Sequence, residues 1–268
     1  MKKHVQAIAG AALLGVSGYA MALDIGGLEV PLGPNLHVAS VFENVITAQG
    51  QELAGYGEVS QINGVNIGSL CAGCELTYQF GGYIVSSLSP TDISFTGGYI
   101  NFYLGFGADA DFNPFASGGS AEDFTAATNG QLFLTMAGHD IDAAGNTFSG
   151  SGNNIGGPNA AGNGAGLASV DFTGMMNGNT AGAGAIANAY FDSNSILAAF
   201  GGGNADAQLG SSFSNVFLPH PGECPSGPAC MTGSTDMRVG VIPEPETYAL
   251  MLGGLGIVAF VASRRRQR

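Results

Sequence analysis

Between residues 23 and 241 the apolar positions fall in short runs broken by glycine, proline and asparagine, and nowhere sustain the spacing of a long amphipathic helix. Leu36–Thr47 (LHVASVFENVIT) mixes β-branched and aromatic residues in partial alternation, and Gly57–Gln61 is placed to pair with it. The clearest strand pattern is Glu75–Ser86 (ELTYQFGGYIVS), followed across Ser89-Pro90 by Asp92–Phe106 (DISFTGGYINFYLGF). Both carry a Phe, a Gly-Gly pair and a Tyr-Ile step: Phe80-Gly81-Gly82-Tyr83-Ile84 and Phe95-Thr96-Gly97-Gly98-Tyr99-Ile100. They read as antiparallel neighbours with bulges or bends at the glycines, and one copy of each does not make a repeat architecture. Gln131–Ala137 reads as a buried strand. Strand-like segments resume at Ala168–Thr173, Ala187–Phe191, Ser212–Leu218 and Met237–Ile242. Gly145–Gly166, dominated by Gly, Asn and Ala, is expected as a long flexible loop. At least eight short strands at turn-punctuated spacing predict an all-β body, an antiparallel β-sandwich or jelly-roll, with a β-solenoid as the alternative.

The two ends follow another pattern. At the N-terminus Lys2 and Lys3 precede a short apolar run, Ala7–Val16, and Ala20-Met21-Ala22 has the small-x-small form of a signal-peptidase site. Residues 1–22 are therefore expected as a signal peptide, with the mature chain beginning near Leu23. The C-terminal segment 242–268 holds three parts in order: Pro243-Glu244-Pro245, an apolar run from Tyr248 to Ala262, and Arg264, Arg265, Arg266 and Arg268. The prolines fix φ and withhold donors, which leaves an extended, accessible elbow. The apolar run of 15 residues would rise about 22 Å as a helix, and the arginines beside it hold that end in the cytoplasm. A transmembrane helix over 248–263 is expected.

Elbow, short glycine-bearing apolar helix (GGLG, Gly253–Gly256) and terminal arginines together resemble the PEP-CTERM sorting signal of Gram-negative bacteria. The resemblance implies an exosortase-type membrane protease as partner, an inner-membrane intermediate, and a destination at the outer surface or in the extracellular matrix. Family members are often associated with extracellular polysaccharide and biofilm, whereas their bodies are diverse. The stretches CELTYQFGGY and FTGGYINFY are similar to β-rich members linked to flocculation.

Charge separates the body from its signals. Between Leu23 and Ile242 one base, Arg238, faces 18 acids, a formal charge of −17. A body this anionic excludes nucleic acid, whose phosphates require Lys and Arg, and favours cations or water as neighbours. Glycine supplies 45 of the 268 residues, which disfavours helices and suits tight turns.

Chemistry-bearing residues are few. Cys71 with Cys74 and Cys224 with Cys230 predict two disulfides in an exported chain. The Cys71–Cys74 spacing also fits thiol redox proteins, but the strand pattern that follows, opened by Glu75, disfavours a reactive thiolate. No cofactor is expected. Asp109, Asp111 and Asn113 open like a calcium loop, yet Pro114 and Ser120 break the EF-hand pattern, leaving only a looser calcium site as the metal candidate. His139-Asp140-Ile141-Asp142 reads as a polar loop. The function expected is non-enzymatic, structural in a biofilm or floc matrix. A carbohydrate- or calcium-dependent adhesin is the alternative, favoured if Tyr99, Phe102 and Tyr103 share one exposed face. A secreted hydrolase is third and would need two carboxylates converging in a cleft.

Overall fold

The computed structural model describes residues 22–170, 182–200, 203–214, 230–240 and Leu255. Apart from Ala22 and Leu255, the expected leader and sorting helix fall outside these residues. No helix among the described residues is long and apolar enough to cross a membrane.

A short hairpin comes first, β1 (Ala22–Ile25) and β2 (Leu28–Pro31). Nine longer strands follow: β3 (Asn35–Asn44), β4 (Glu52–Ile62), β6 (Cys74–Leu88), β7 (Asp92–Phe106), β8 (Gln131–His139), β9 (Asn146–Asn153), β10 (Ala161–Ser169), β11 (Ala207–Ser214) and β12 (Cys230–Val239). A two-residue strand, β5 (Val65–Asn66), pairs with the end of β4. All pairings are antiparallel, and they run from β3 through β4, β6, β7, β8, β10, β11 and β12 back to β3. The result is a closed eight-stranded barrel of up-and-down connectivity. The expected all-β class is present, but where a sandwich leaves open edges, β10 pairs β11 and β12 pairs β3, so the ring of eight strands has none.

β8 and β9 act as one stave. β8 pairs the second half of β7 (Tyr99–Leu104) and β9 the first half (Asp92–Thr96), and both lie against β10. Residues 140–145 loop out between them, held by Asp142, whose Oδ1 accepts from Ala144 N at 2.9 Å and Asn146 N at 3.1 Å. Those hydrogen bonds, with one from the Asn146 side chain foremost, hold the Asp142 carboxyl below its usual range.

Two expectations are corrected here. Gly145–Gly166 is not a loop: it contains β9 and most of β10, joined by the 154–160 connection. Its glycines serve close packing, because a Cβ on Gly164 or Gly166 would come within about 2.5 Å of the Phe148 ring. Ala187–Phe191 is not a strand but the second half of a helix, Gly182–Phe191. This alanine-rich segment buries Ala183, Ala187, Tyr190 and Phe191 at helical spacing.

The paired Gly-Gly motifs explain each other. Gly81 lies opposite Tyr99 and Gly97 opposite Tyr83 across β6 and β7. The Tyr83 ring occupies the space a Cβ on Gly98 would take, 2.2 Å away, while the Tyr99 ring lies over Gly81 and Gly82. Each strand's glycines receive the other's tyrosine.

The helices are α1 (Ile67–Leu70), α2 (Ser120–Thr128) and α3 (Gly182–Phe191). α1, α3 and the β1–β2 hairpin pack at the end of the barrel where β3 begins and β12 finishes. Ile25, Leu28, Val30, Ile67 and Phe191 join the strand residues Ile62, Phe133 and Val239 there in one apolar cluster. That end is floored. α2 lies outside the wall against β4 and β6, over a second cluster of Phe42, Tyr56, Phe112 and Ala127.

Candidate functional site

The alternation along β3 sets the barrel interior. His37, Ala39, Val41 and Glu43 point inward, and Phe42 points out under α2. The interior holds two adjoining spaces that share Tyr78, Ile100, Leu209 and Thr235.

The lower space, about 40 Å³, lies above the floor and is lined by His37, Val59 and Met237. Neither ring nitrogen of His37 has a hydrogen-bond partner among the described residues. Burial pushes its pKa down to about 4, so the imidazole is neutral at physiological pH. Its ring meets Phe191 of α3 edge-on, with centroids 6.2 Å apart.

The upper chamber, about 100 Å³, is lined by Val41, Glu43, Phe80, Tyr83, Phe95, Phe148, Phe213 and Met231. It reaches the opposite rim, where Ile46, Ile155, Gly156 and Ala160 border it. β11 ends and β12 begins at this rim, and residues 215–229 between them lie outside the described residues. Burial pushes the Glu43 carboxyl up to about 8, which makes it a proton donor at neutral pH. The Tyr78 hydroxyl donates to Ser40 O at 2.5 Å. The Tyr83 hydroxyl is buried and has no hydrogen-bond partner among the described residues. Asn44, Ser211 and Thr235 are the other polar side chains of the wall. The rest is apolar and aromatic, with Tyr83 packed against Phe80 at 6.4 Å and Phe148 at 6.1 Å between centroids.

Most residues singled out from the sequence lie elsewhere. Pro243, Glu244, Pro245, Arg264, Arg265, Arg266, Arg268, Ala20 and Cys224 are outside the described residues, and Ala22 is the first residue of β1. Cys71 and Cys74 form the expected disulfide, with Cα atoms 5.7 Å apart at the entry to β6. Cys230 opens β12. Asp111 and Asn113 line a polar hollow beside α2 with Ser117, Glu122 and Asp123, and Asp111 accepts from Asn129 Nδ2 at 3.0 Å. Asp109 closes a 3-10 turn at Gly107–Asp109 and is not part of that lining. Among the described residues no three His, Cys, Asp or Glu side chains gather around a metal position. His139 is not in a loop but ends β8, paired with Leu167 of β10, and hydrogen-bonds Ser169 Oγ at 3.1 Å and Gly203 O at 3.0 Å; Asp140–Asp142 belong to the loop that follows.

The three aromatics weighed for a binding face divide between faces. Phe102 is buried inside the barrel, while Tyr99 and Tyr103 are half-buried on its outside. Between them Asn101 donates to Gln79 Oε1 at 3.3 Å and accepts from Thr135 Oγ1 at 2.9 Å.

His37, Glu43 and Tyr83 were not expected as a site. The available signal was the phase of β3, in which His37 and Glu43 share a face with Ala39 and Val41.

A family model for the PEP-CTERM protein-sorting motif matches residues 241–266. A search of curated proteins finds no relative of the chain.

Proposed function

From a chain that ends in a PEP-CTERM sorting motif, we propose a non-enzymatic protein of the biofilm or floc matrix, delivered to the cell surface and released from its tail by an exosortase-type protease. The motif itself implies export and membrane-associated sorting toward the surface of a Gram-negative cell. That match is the observation that carries the reading. The body adds support: the ring of eight strands has no unpaired edge among the described residues, and a charge of −17 suits a protein that stays dispersed among acidic polymers bridged by cations.

Pro243-Glu244-Pro245 is the recognition elbow, and Arg264, Arg265, Arg266 and Arg268 hold the tail in the inner membrane until cleavage. Replacing the three elbow residues by alanine leaves the full-length form in the inner membrane. Intact-mass and C-terminal peptide analysis of envelope and matrix fractions reads this directly, and normal release of the variant would refute the sorting role. Deleting the gene lowers retained biofilm or floc mass; unchanged mass and cohesion would remove the matrix role while leaving the sorting route intact.

A further inference from the structure

We infer that the upper chamber of the barrel binds a neutral apolar molecule carrying one hydroxyl or carbonyl oxygen, with that oxygen at the Tyr83 hydroxyl. The chamber has the form of a ligand site: concave, walled by aromatic and aliphatic side chains, and furnished with very few polar groups. Small closed barrels have room inside for packed side chains or for one small ligand. Here the glycines on the wall, Gly98 under Tyr83 and Gly164 and Gly166 under Phe148, draw the rings back against the strands and leave the axis open.

The polar groups define the ligand. Tyr83 O–H contributes no hydrogen bond to the fold, since no described residue pairs with it. A phenylalanine would fill the same place over Gly98 without burying a hydroxyl. Tyr78, by contrast, has its hydroxyl committed to Ser40 O. Asn44 is committed too, its side chain bonded to Glu52 O at 2.9 Å and Ala54 N at 2.8 Å. Thr235 is committed as well, its hydroxyl donating to Gly210 O at 2.8 Å. Tyr83 thus carries the buried hydroxyl of this wall that the described residues leave without a partner. Glu43, protonated at neutral pH, and Ser211 are further polar groups on the same wall.

Charge selects against anions. The one basic residue of the body, Arg238, is exposed on the outside of β12, so nothing cationic meets a carboxylate inside. Burying that charge in an apolar chamber without a partner is strongly unfavourable. Alcohols, ketones and esters of a short chain or single ring fit; fatty-acid anions do not.

The test uses the mature protein in detergent-free buffer, or in phospholipid nanodiscs against an empty-nanodisc blank if it is still membrane-held. It is titrated calorimetrically with 1-octanol and with octanoate. One saturable site per chain for 1-octanol is expected, with octanoate at neutral pH at least about tenfold weaker. Tyr83→Phe should weaken 1-octanol about tenfold while the melting temperature holds or rises, as a lost hydrogen bond to a buried oxygen predicts. Ile155→Trp at the rim should abolish binding in a protein with unchanged circular dichroism. No saturable binding, octanoate binding as tightly as 1-octanol, or an unchanged affinity in Tyr83→Phe would each overturn the assignment.

Discussion

The two ends of the barrel interior use the same strands differently. At the floor the hairpin β1–β2 and helix α3 drive Ile25, Leu28 and Phe191 into the barrel, and all three are at 0% exposure. At the other end no helix of the described residues enters; aromatic rings lie against glycine-bearing strands and border a chamber. Packed interiors are as dense as organic crystals; the free space above the floor is about 40 Å³, against about 100 Å³ in the upper chamber. One closed sheet thus carries a stability-bearing end and an end that keeps free space.

The largest effect should come from opening the floor. Phe191→Ala removes a side chain packed on His37, Phe133 and Tyr190 and should cost about 4 kcal/mol, read as a fall in melting temperature. A loss no greater than that of a rim substitution would erase the contrast. Next is Gly98→Ala, which combines φ +94° with a Cβ placed 2.2 Å from the Tyr83 ring, for about 3 kcal/mol. A mild effect would mean that Tyr83 is free to swing into the chamber.

A third variant acts through pH. Glu43 keeps its proton up to about 8 when folded, against an ordinary value of 4.5, because burial penalises the charge. Its contribution is therefore complete below 4.5 and lost as pH rises toward 8, at about 1.4 kcal/mol per pH unit. The titratable group set against it is Tyr78 from β6, itself held protonated by burial and by Glu43. Melts of Glu43→Gln and the parent should coincide in slope at acid pH and diverge through neutrality, reaching about 3 kcal/mol near pH 7 in favour of Gln. Parallel melts across that range would mean that Glu43 is solvated. Smallest is Tyr83→Phe, where removing an unpaired buried hydroxyl should gain about 1 kcal/mol without ligand. A loss instead would show that the hydroxyl has a partner in the folded chain.

How much of this was legible varies with how local the signal is. β7 was read to its exact ends, Asp92–Phe106, because its β-branched and aromatic residues declare a strand by themselves. β9 and all but the last residues of β10 were missed because Gly150, Gly152, Gly162, Gly164 and Gly166 have no strand propensity; Phe148 and the flanking strands β7, β8 and β11 make them strands. The helix ending at Phe191 was missed because Ala187–Phe191 shows its helical period only when Ala183 is counted with it. Closure depends on β12 meeting β3, residues nearly the whole body apart, which no local pattern encodes. The sorting tail was legible because it is read as linear sequence, without a fold. The lumen was not, because His37 and Glu43 become interior only once the phase of β3 is fixed by the ring.

Eight is an even number, and in an up-and-down barrel an even count returns the chain to the rim it left. β3 starts and β12 finishes at the floor, with Asn35 and Val239 paired side by side. Gly240, the residue from which the sorting segment departs, is therefore on the plugged side, next to the hairpin that opens the body. Whatever holds the sorting segment thus takes hold of the barrel by its floor, at the end opposite the rim of the chamber.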